Sequence, residues 1–113
     1  MSKIARAEVW SADLDPVRGH EQAGKRPVLV LSVDRFNNSP ADLIIVLPIS
    51  TKAKGIPSHI EVLAGEANLK NRCFIKCEDI RSISKERLSS FIGIASVETM
   101  KKVEDTLRIL LGL

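Results

Sequence analysis

The chain has 113 residues, 44% of them hydrophobic and 27% charged, a balance that fits one soluble globular domain and excludes a disordered chain. Its longest apolar run, residues 43–47, is far too short to span a bilayer, and its first residues lack the apolar stretch of a secretory signal, so a cytoplasmic location is expected. The net charge of +3 permits a nucleic-acid partner without requiring one, while an aromatic content of 4% with no tyrosine argues against a module that stacks successive bases.

Residues 8–13 read as a first strand. Residues 15–25 carry a proline, two glycines and four charged side chains, the composition of a loop. Arg26-Pro27 then leads into Val28-Leu29-Val30-Leu31-Ser32, a buried strand whose opening proline suits a sheet edge. Asn37-Asn38-Ser39-Pro40 is a turn. Residues 43–49 form the strongest strand; apolar on both faces, it should be covered on both. A polar loop over 50–57 follows. Alternation over 59–63 predicts a half-buried strand. Residues 72–83 read as one longer strand, with Cys73, Ile75 and Cys77 on the core parity and Phe74, Lys76 and Glu78 on the other. Residues 91–94 make a short last strand. The period then changes: Val97, Met100, Val103, Leu107 and Leu110 fall three or four apart, an amphipathic helix capped by Ser96 and ended by Gly112. The sum is one mainly β domain over 1–113, its short antiparallel strands forming a small curled sheet or barrel with a terminal helix packed on it.

Cys73 and Cys77 lie four apart on a core parity, with His20 and His59 distant in sequence. That is poor spacing for zinc, so no metal site is expected. The pair reads as two buried free thiols, inert as nucleophiles. No Ser-His-Asp signature, phosphate loop or dinucleotide fingerprint is present, and the Gly19 to Gly24 stretch precedes a strand instead of a helix. What remains are polar side chains at strand ends and on loops, where a rigid sheet often presents binding groups. These are His20 and Glu21, Arg26, Ser50 and Thr51, and Lys76 with Glu78. Each has a plain structural alternative as a solvated cation, a turn former, a loop histidine or a surface ion pair. Composition and spacing alone name no activity.

Several segments nevertheless occur together in one order. They are Val9-Trp10, Asp13-Leu14-Asp15-Pro16, Gly19-His20-Glu21-Gln22, Gly24-Lys25-Arg26-Pro27-Val28-Leu29-Val30, Leu47-Pro48-Ile49-Ser50 and Cys77-Glu78-Asp79-Ile80-Arg81-Ser82-Ile83. Lys85, Arg87, Leu88 and the closing Leu111-Gly112-Leu113 continue the set. In that order, over about residues 4–113, the chain resembles the MazF/PemK family of toxin endoribonucleases from bacterial toxin–antitoxin pairs. The resemblance implies an SH3-like small barrel, acting as a homodimer with no cofactor and no membrane partner. It implies metal-independent cutting of single-stranded mRNA at short sequences, with the 2′-hydroxyl attacking the adjacent phosphate to leave a 2′,3′-cyclic phosphate and a 5′-hydroxyl. It also implies a MazE-like antitoxin whose acidic tail fills the RNA groove, and through which alone DNA is met.

By the family motif, Arg26 would offset charge on the phosphate and the transition state, where a fixed two-pronged donor suits. Ser50 stands where the family has threonine and would hydrogen-bond the scissile phosphate. Glu21 would act as base or bind the nucleotide, and His20 matches a histidine of the PemK-like branch suited to proton transfer. Lys76 and Glu78 match an Arg-x-Asp pair of that branch, and a shared strand parity would let them reach one phosphate. Gln22, Lys25, Thr51, Lys52, Lys54 and Arg81 are further expected RNA contacts, and the loops 15–25 and 50–58 are expected to set the cut sequence. The chain departs from the family pattern in places. Ala7-Glu8 stands where Gly-Asp is usual, Lys76 loses the two-pronged geometry, and Glu78 is longer than aspartate. Two other functions share the fold: a gyrase-poisoning toxin of the CcdB kind, whose C-terminal tryptophan this chain lacks, and a degenerate member that binds RNA or antitoxin without cutting.

Overall fold

The computed structural model describes residues 3–15, 19–21 and 23–113. Its elements run β1 (Glu8–Asp13), β2 (Lys25–Val30), α1 (Asp34–Asn37), β3 (Leu43–Ser50), β4 (His59–Val62), β5 (Cys73–Lys76), β6 (Arg81–Ser84), β7 (Leu88–Ile94) and α2 (Val97–Leu111). Three tight helical turns cover Glu66–Asn68, Cys77–Asp79 and Lys85–Arg87. The strands pair antiparallel in the order β4-β5-β3-β2-β1-β7, with β6 also on β3. The sheet is barrel-like but open, with β4 and β7 as its edges.

β3 organises the molecule because its side chains feed two cores. Leu47 and Ile49 pack with Val9, Leu29, Ile75, Cys77 and Val103 on one face. Ile44 and Val46 pack with Ala12, Leu14, Val28, Val30 and Ile83 on the other. This is the two-faced burial expected of a strand with no polar parity. α2 covers the first core with Met100 and Val103. Its N-terminus is capped by the Ser96 hydroxyl, which accepts from the Thr99 amide at 3.1 Å, and its end is turned by Gly112 at φ +71°. The covered stripe is shorter than the sequence period: Val97 is 82% exposed and Leu110 45%.

The stretch 72–83 is not one strand. It runs antiparallel along β3, but Ile49 pairs with Ile75 while Ile44 pairs with Ile83. Five steps along β3 thus face eight along the partner, and the three surplus residues are the turn Cys77–Asp79. The other parity of β5 is also covered, so Phe74 and Lys76 are buried together with Cys73 and Ile75. β2 begins at Lys25 through pairing with Asp13 on β1, three residues before its apolar run. β7 begins at Leu88, where the exposed Ser89 and Ser90 of an edge strand hide any alternation. The turn at 37–40 starts inside α1, since Asn37 is its last residue, buried and donating to the Ser32 carbonyl at 2.8 Å.

Candidate active site

Antiparallel partners share a sheet face, and so do residues two apart on one strand. Ser50 pairs with Phe74, Phe74 with Glu61, and Lys76 with His59. These five therefore lie on one face, while Ile49, Ile75 and Ile60 between them turn toward the first core. The Arg72 guanidinium lies 5.0 Å over the Phe74 ring and pairs with Glu61, which closes that part of the face. The β2–β3 ladder ends at Val28 and Pro48; Arg26 lies two residues before Val28 on β2 and Ser50 two residues after Pro48 on β3. Arg26 and Ser50 so stand at the same end of the sheet.

Each is tied to a loop. Arg26 is half-buried, and its Nε donates to the Ala23 carbonyl at 3.2 Å, in the loop that carries His20 and Glu21. Ser50 is buried, and its Oγ accepts from the Lys52 amide at 3.2 Å, fixing the start of the exposed loop 51–57. A cavity of about 490 Å³ opens in this region. His20 and Glu21 line it from the first loop, and Lys54 and Ile56 from the second. His59 and Lys76 enter from paired positions on β4 and β5, and Glu78 and Asp79 from the turn that follows.

Of the residues singled out by sequence, His20, Glu21, Lys54, Lys76 and Glu78 thus meet around one cavity, while Arg26 and Ser50 stand at the sheet end. Lys25, Thr51 and Lys52 are exposed and do not line it. Gln22 lies outside the described residues. One expectation changes. Lys76 and Glu78 do not share a strand parity, because Glu78 belongs to the turn; the turn itself brings both to the cavity. Lys76 is only 8% exposed and stands 3.9 Å from Asp79. Arg81 donates to the Asp79 carboxylate at 2.6 Å, with 14% of its side chain exposed.

His59 was not among the residues singled out, yet it is central. Its Nε2 lies 2.6 Å from Glu78 Oε2, and the Ser58 hydroxyl donates to Glu78 Oε1 at 2.7 Å. The Cys77 amide donates to the Ser58 carbonyl at 3.2 Å, closing the link between β4 and the turn. Burial pushes the Glu78 carboxyl up, but hydrogen bonds from Ser58, its own amide and His59 outweigh this and hold it below the usual carboxylate value. A carboxylate cannot donate when ionised, so the imidazole must carry its proton on Nε2. The other nitrogen, Nδ1, is buried and has no hydrogen-bond partner. The signal that could have found His59 is its polar parity on β4, which becomes informative only once β4 is known to pair with β5.

Burial and the neighbouring Glu78 charge push the Cys77 thiol up to about 12, and burial raises Cys73, so neither offers a thiolate near neutral pH. Among the described residues no three His, Cys, Asp or Glu side chains gather as a metal site requires. The arrangement offers a guanidinium, a hydroxyl, an imidazole–carboxylate pair and ammonium groups beside one polar cavity. That set suits an anionic ligand with hydrogen-bonding edges.

The chain matches the family model of the PemK-like, MazF-like toxins of type II toxin–antitoxin systems over residues 5–111. It is 37% identical over 111 residues to Endoribonuclease EndoA of Bacillus subtilis (strain 168), covering 97% of this chain and 96% of that one. Among solved structures it is similar to MazF from Deinococcus radiodurans, with a TM-score of 0.89 at 25% identity over the full length of both chains. It is similar also to a MazE-MazF structure from the same organism, with a TM-score of 0.81 at 25% identity, covering 100% of this chain and 99% of that one.

Proposed function

Because the chain belongs to the PemK-like, MazF-like family of toxins of type II toxin–antitoxin systems, we propose that it is a sequence-specific endoribonuclease toxin, cutting single-stranded mRNA without a metal. The 2′-hydroxyl of one nucleotide attacks its own 3′ phosphate. The P–O bond to the next nucleotide breaks, leaving a 2′,3′-cyclic phosphate and a 5′-hydroxyl. Such a reaction needs a proton acceptor, a proton donor and cations against the charge of the pentacoordinate phosphorus.

What supports this reading is that Arg26, near the start of β2, and Ser50, at the end of β3, stand at the same end of the sheet, each hydrogen-bonded to a loop that also reaches the cavity. Arg26 holds the phosphate and offsets its developing charge, and Ser50 donates a hydrogen bond to it. Glu21 and His20, on the loop tied to Arg26, exchange the protons. Lys25, Thr51, Lys52 and Lys54 hold neighbouring phosphates, and their contribution weakens with salt. The toxin acts as a homodimer and is neutralised by a MazE-like antitoxin, a partner whose kind appears in the MazE-MazF structure it resembles.

The test is incubation of the purified chain with a long single-stranded RNA in EDTA, beside Arg26→Ala. Discrete cuts with 5′-hydroxyl ends that fall at least about a hundredfold in the variant are expected, since removing one charge-stabilising donor costs that much. Intact RNA at enzyme excess, or cuts that need a divalent metal, would overturn the proposal.

A further inference from the structure

Arg87 belongs to the ordered motifs of the sequence, yet the phosphate chemistry gives it no role. The β1–β7 ladder ends at Ala12 and Leu88, and the residues next beyond it are Asp13 and Arg87. Arg87 closes the turn Lys85–Arg87, which is held on both sides. The Lys85 amide donates to the Asp42 carbonyl at 3.1 Å, and Leu88 packs on the second core. From that support Arg87 Nη1 donates to the Asp13 carbonyl at 3.1 Å and also to the Asp15 carbonyl.

These carbonyls flank the point where the chain leaves β1 for the loop that carries His20 and Glu21. The neck of the loop is also closed across the hairpin. Leu14, buried in the second core, donates its amide to the Gly24 carbonyl at 3.0 Å, and the Gly24 amide donates to Asp15 Oδ1 at 3.0 Å. On the leaving arm, Arg26 Nε donates to the Ala23 carbonyl. One guanidinium thus holds the entering arm and another the leaving arm. His20 and Glu21 lie in sequence between the two anchors and line the cavity. Both Arg87 bonds are solvent-exposed, and water would serve the same carbonyls, so as a stabilising contact alone they add little. What they fix is a position.

We propose that Arg87 is a positioning residue for RNA cleavage: it clamps the neck of the loop so that His20 and Glu21 meet the protons of the reaction while Arg26 and Ser50 hold the phosphate. The inference rests on the endoribonuclease reading and deepens it. Reactivity falls steeply with misplacement, about a hundredfold for roughly 1 Å. Phosphate binding, by contrast, is made from β2, β3 and the loop 51–57, outside the clamp.

The test is the kinetics of cleavage of one RNA substrate, measured well below the melting temperature of every variant. Arg87→Ala is expected to lower kcat about tenfold to a hundredfold with KM within about threefold of wild type. Added to the double variant His20→Ala, Glu21→Ala, whose residual cutting is followed at enzyme excess, the same substitution should cost less than about twofold, because the groups it positions are gone. Asp15→Ala opens the neck from the other side with Arg87 in place. It should show the same loss in kcat at constant KM, and it decides the matter if Arg87→Ala does not fold. A KM raised about tenfold or more in Arg87→Ala, together with a weaker salt dependence, would make Arg87 a phosphate contact and overturn the proposal. So would an equal loss with and without His20 and Glu21, or a wild-type kcat in either neck variant. A wild-type rate in the His20→Ala, Glu21→Ala variant would leave Arg87 nothing to act through and overturn it as well. RNA left uncut by wild type would overturn the endoribonuclease reading itself, so the two failures read differently.

Discussion

Gly93→Ala is expected to destabilise the protein strongly, although it adds one methyl group to an edge strand. Gly93 is buried on β7 opposite Val9. A Cβ there would stand 2.9 Å from the Ala67 Cα, 2.5 Å from its carbonyl carbon and closer still to its oxygen. These are backbone atoms, so no rotamer relieves the clash, and the turn Glu66–Asn68 must move. That turn is fastened twice. Asn68 Nδ2 donates to the Ile92 carbonyl at 2.9 Å, and Glu66 Oε2 accepts from both the amide and the hydroxyl of Ser96 at 3.1 Å. Moving it therefore strains the cap of α2, which covers the first core. Overpacking costs about 1–3 kcal/mol, and loosening the two fastenings about 1 kcal/mol each. The lower chain entropy of alanine in the unfolded state returns about 0.4–1 kcal/mol. The net expectation is about 2–4 kcal/mol. For a domain of this size that is a fall in Tm of roughly 8–16 °C. Thermal unfolding by circular dichroism measures the fall, and amide exchange at Ser96 reports the cap. A Tm within about 2 °C of wild type would refute the argument, as would a large fall with Ser96 protection unchanged.

Ala7 holds φ at +76°, a conformation that costs a side chain with a Cβ, at the position where the family usually has glycine. Ala7→Gly should therefore stabilise by about 0.5–1 kcal/mol in urea unfolding despite the added unfolded-state entropy. For Glu66, burial raises the carboxyl, but hydrogen bonds from Thr99 and Ser96 and the charge of Lys102 hold it below 4.5, and Glu78 is lowered in the same sense. Both groups stabilise the fold fully above 4.5, the unfolded value, and lose that stabilisation as pH falls through their lower folded values. Unfolding titrations from pH 6 to about pH 3 should show the loss beginning near 4.5, and a Glu66→Gln, Glu78→Gln double variant should be less stable at pH 7 with a shallower fall. With the Cys77 thiol near 12 and both cysteines buried, native protein at pH 8 should react with a thiol reagent at least about a hundredfold more slowly than unfolded protein. Fast labelling of Cys77 in the native state would contradict the burial.

The fold was readable where one pattern dominated. The two-faced apolar run at 43–49 and the 3.6-residue period after Ser96 admit one interpretation each, and both elements appear with nearly the expected bounds. Elements set by pairing instead of pattern were less legible. Lys25 and Arg26 are strand because Asp13 and Ala12 pair with them, and Ser89 and Ser90 are strand because β1 has an open edge. Neither fact is written in the residues themselves. Ala7 is a middle case: its departure from glycine was visible, while the positive φ that gives glycine its reason was not.

The site divides along the same line. Arg26, Ser50, His20 and Glu21 were named from motif order, and the geometry sets Arg26 and Ser50 at one end of the sheet and His20 and Glu21 around one cavity. Strand alternation puts Lys76 and Glu78 on one parity; the strand ends at Lys76, and they meet at the cavity nonetheless. The cause is the three-residue surplus between β5 and β6. Had the strand continued, Glu78 would be committed to the ladder beside β3. Leaving the ladder at Cys77 frees Glu78 and Asp79 from the alternation and turns them toward β4. There the Cys77 amide holds Ser58, and Ser58 and His59 hold Glu78. Three surplus residues, absorbed by a turn without changing either ladder, thus place a carboxylate where a strand has none to offer. A deletion of one turn residue would shift β6 against β3 and reverse its faces, which β6 resists because Ile83 is buried in the second core. The length of this turn is therefore held by the core on one side and read out by the cavity on the other.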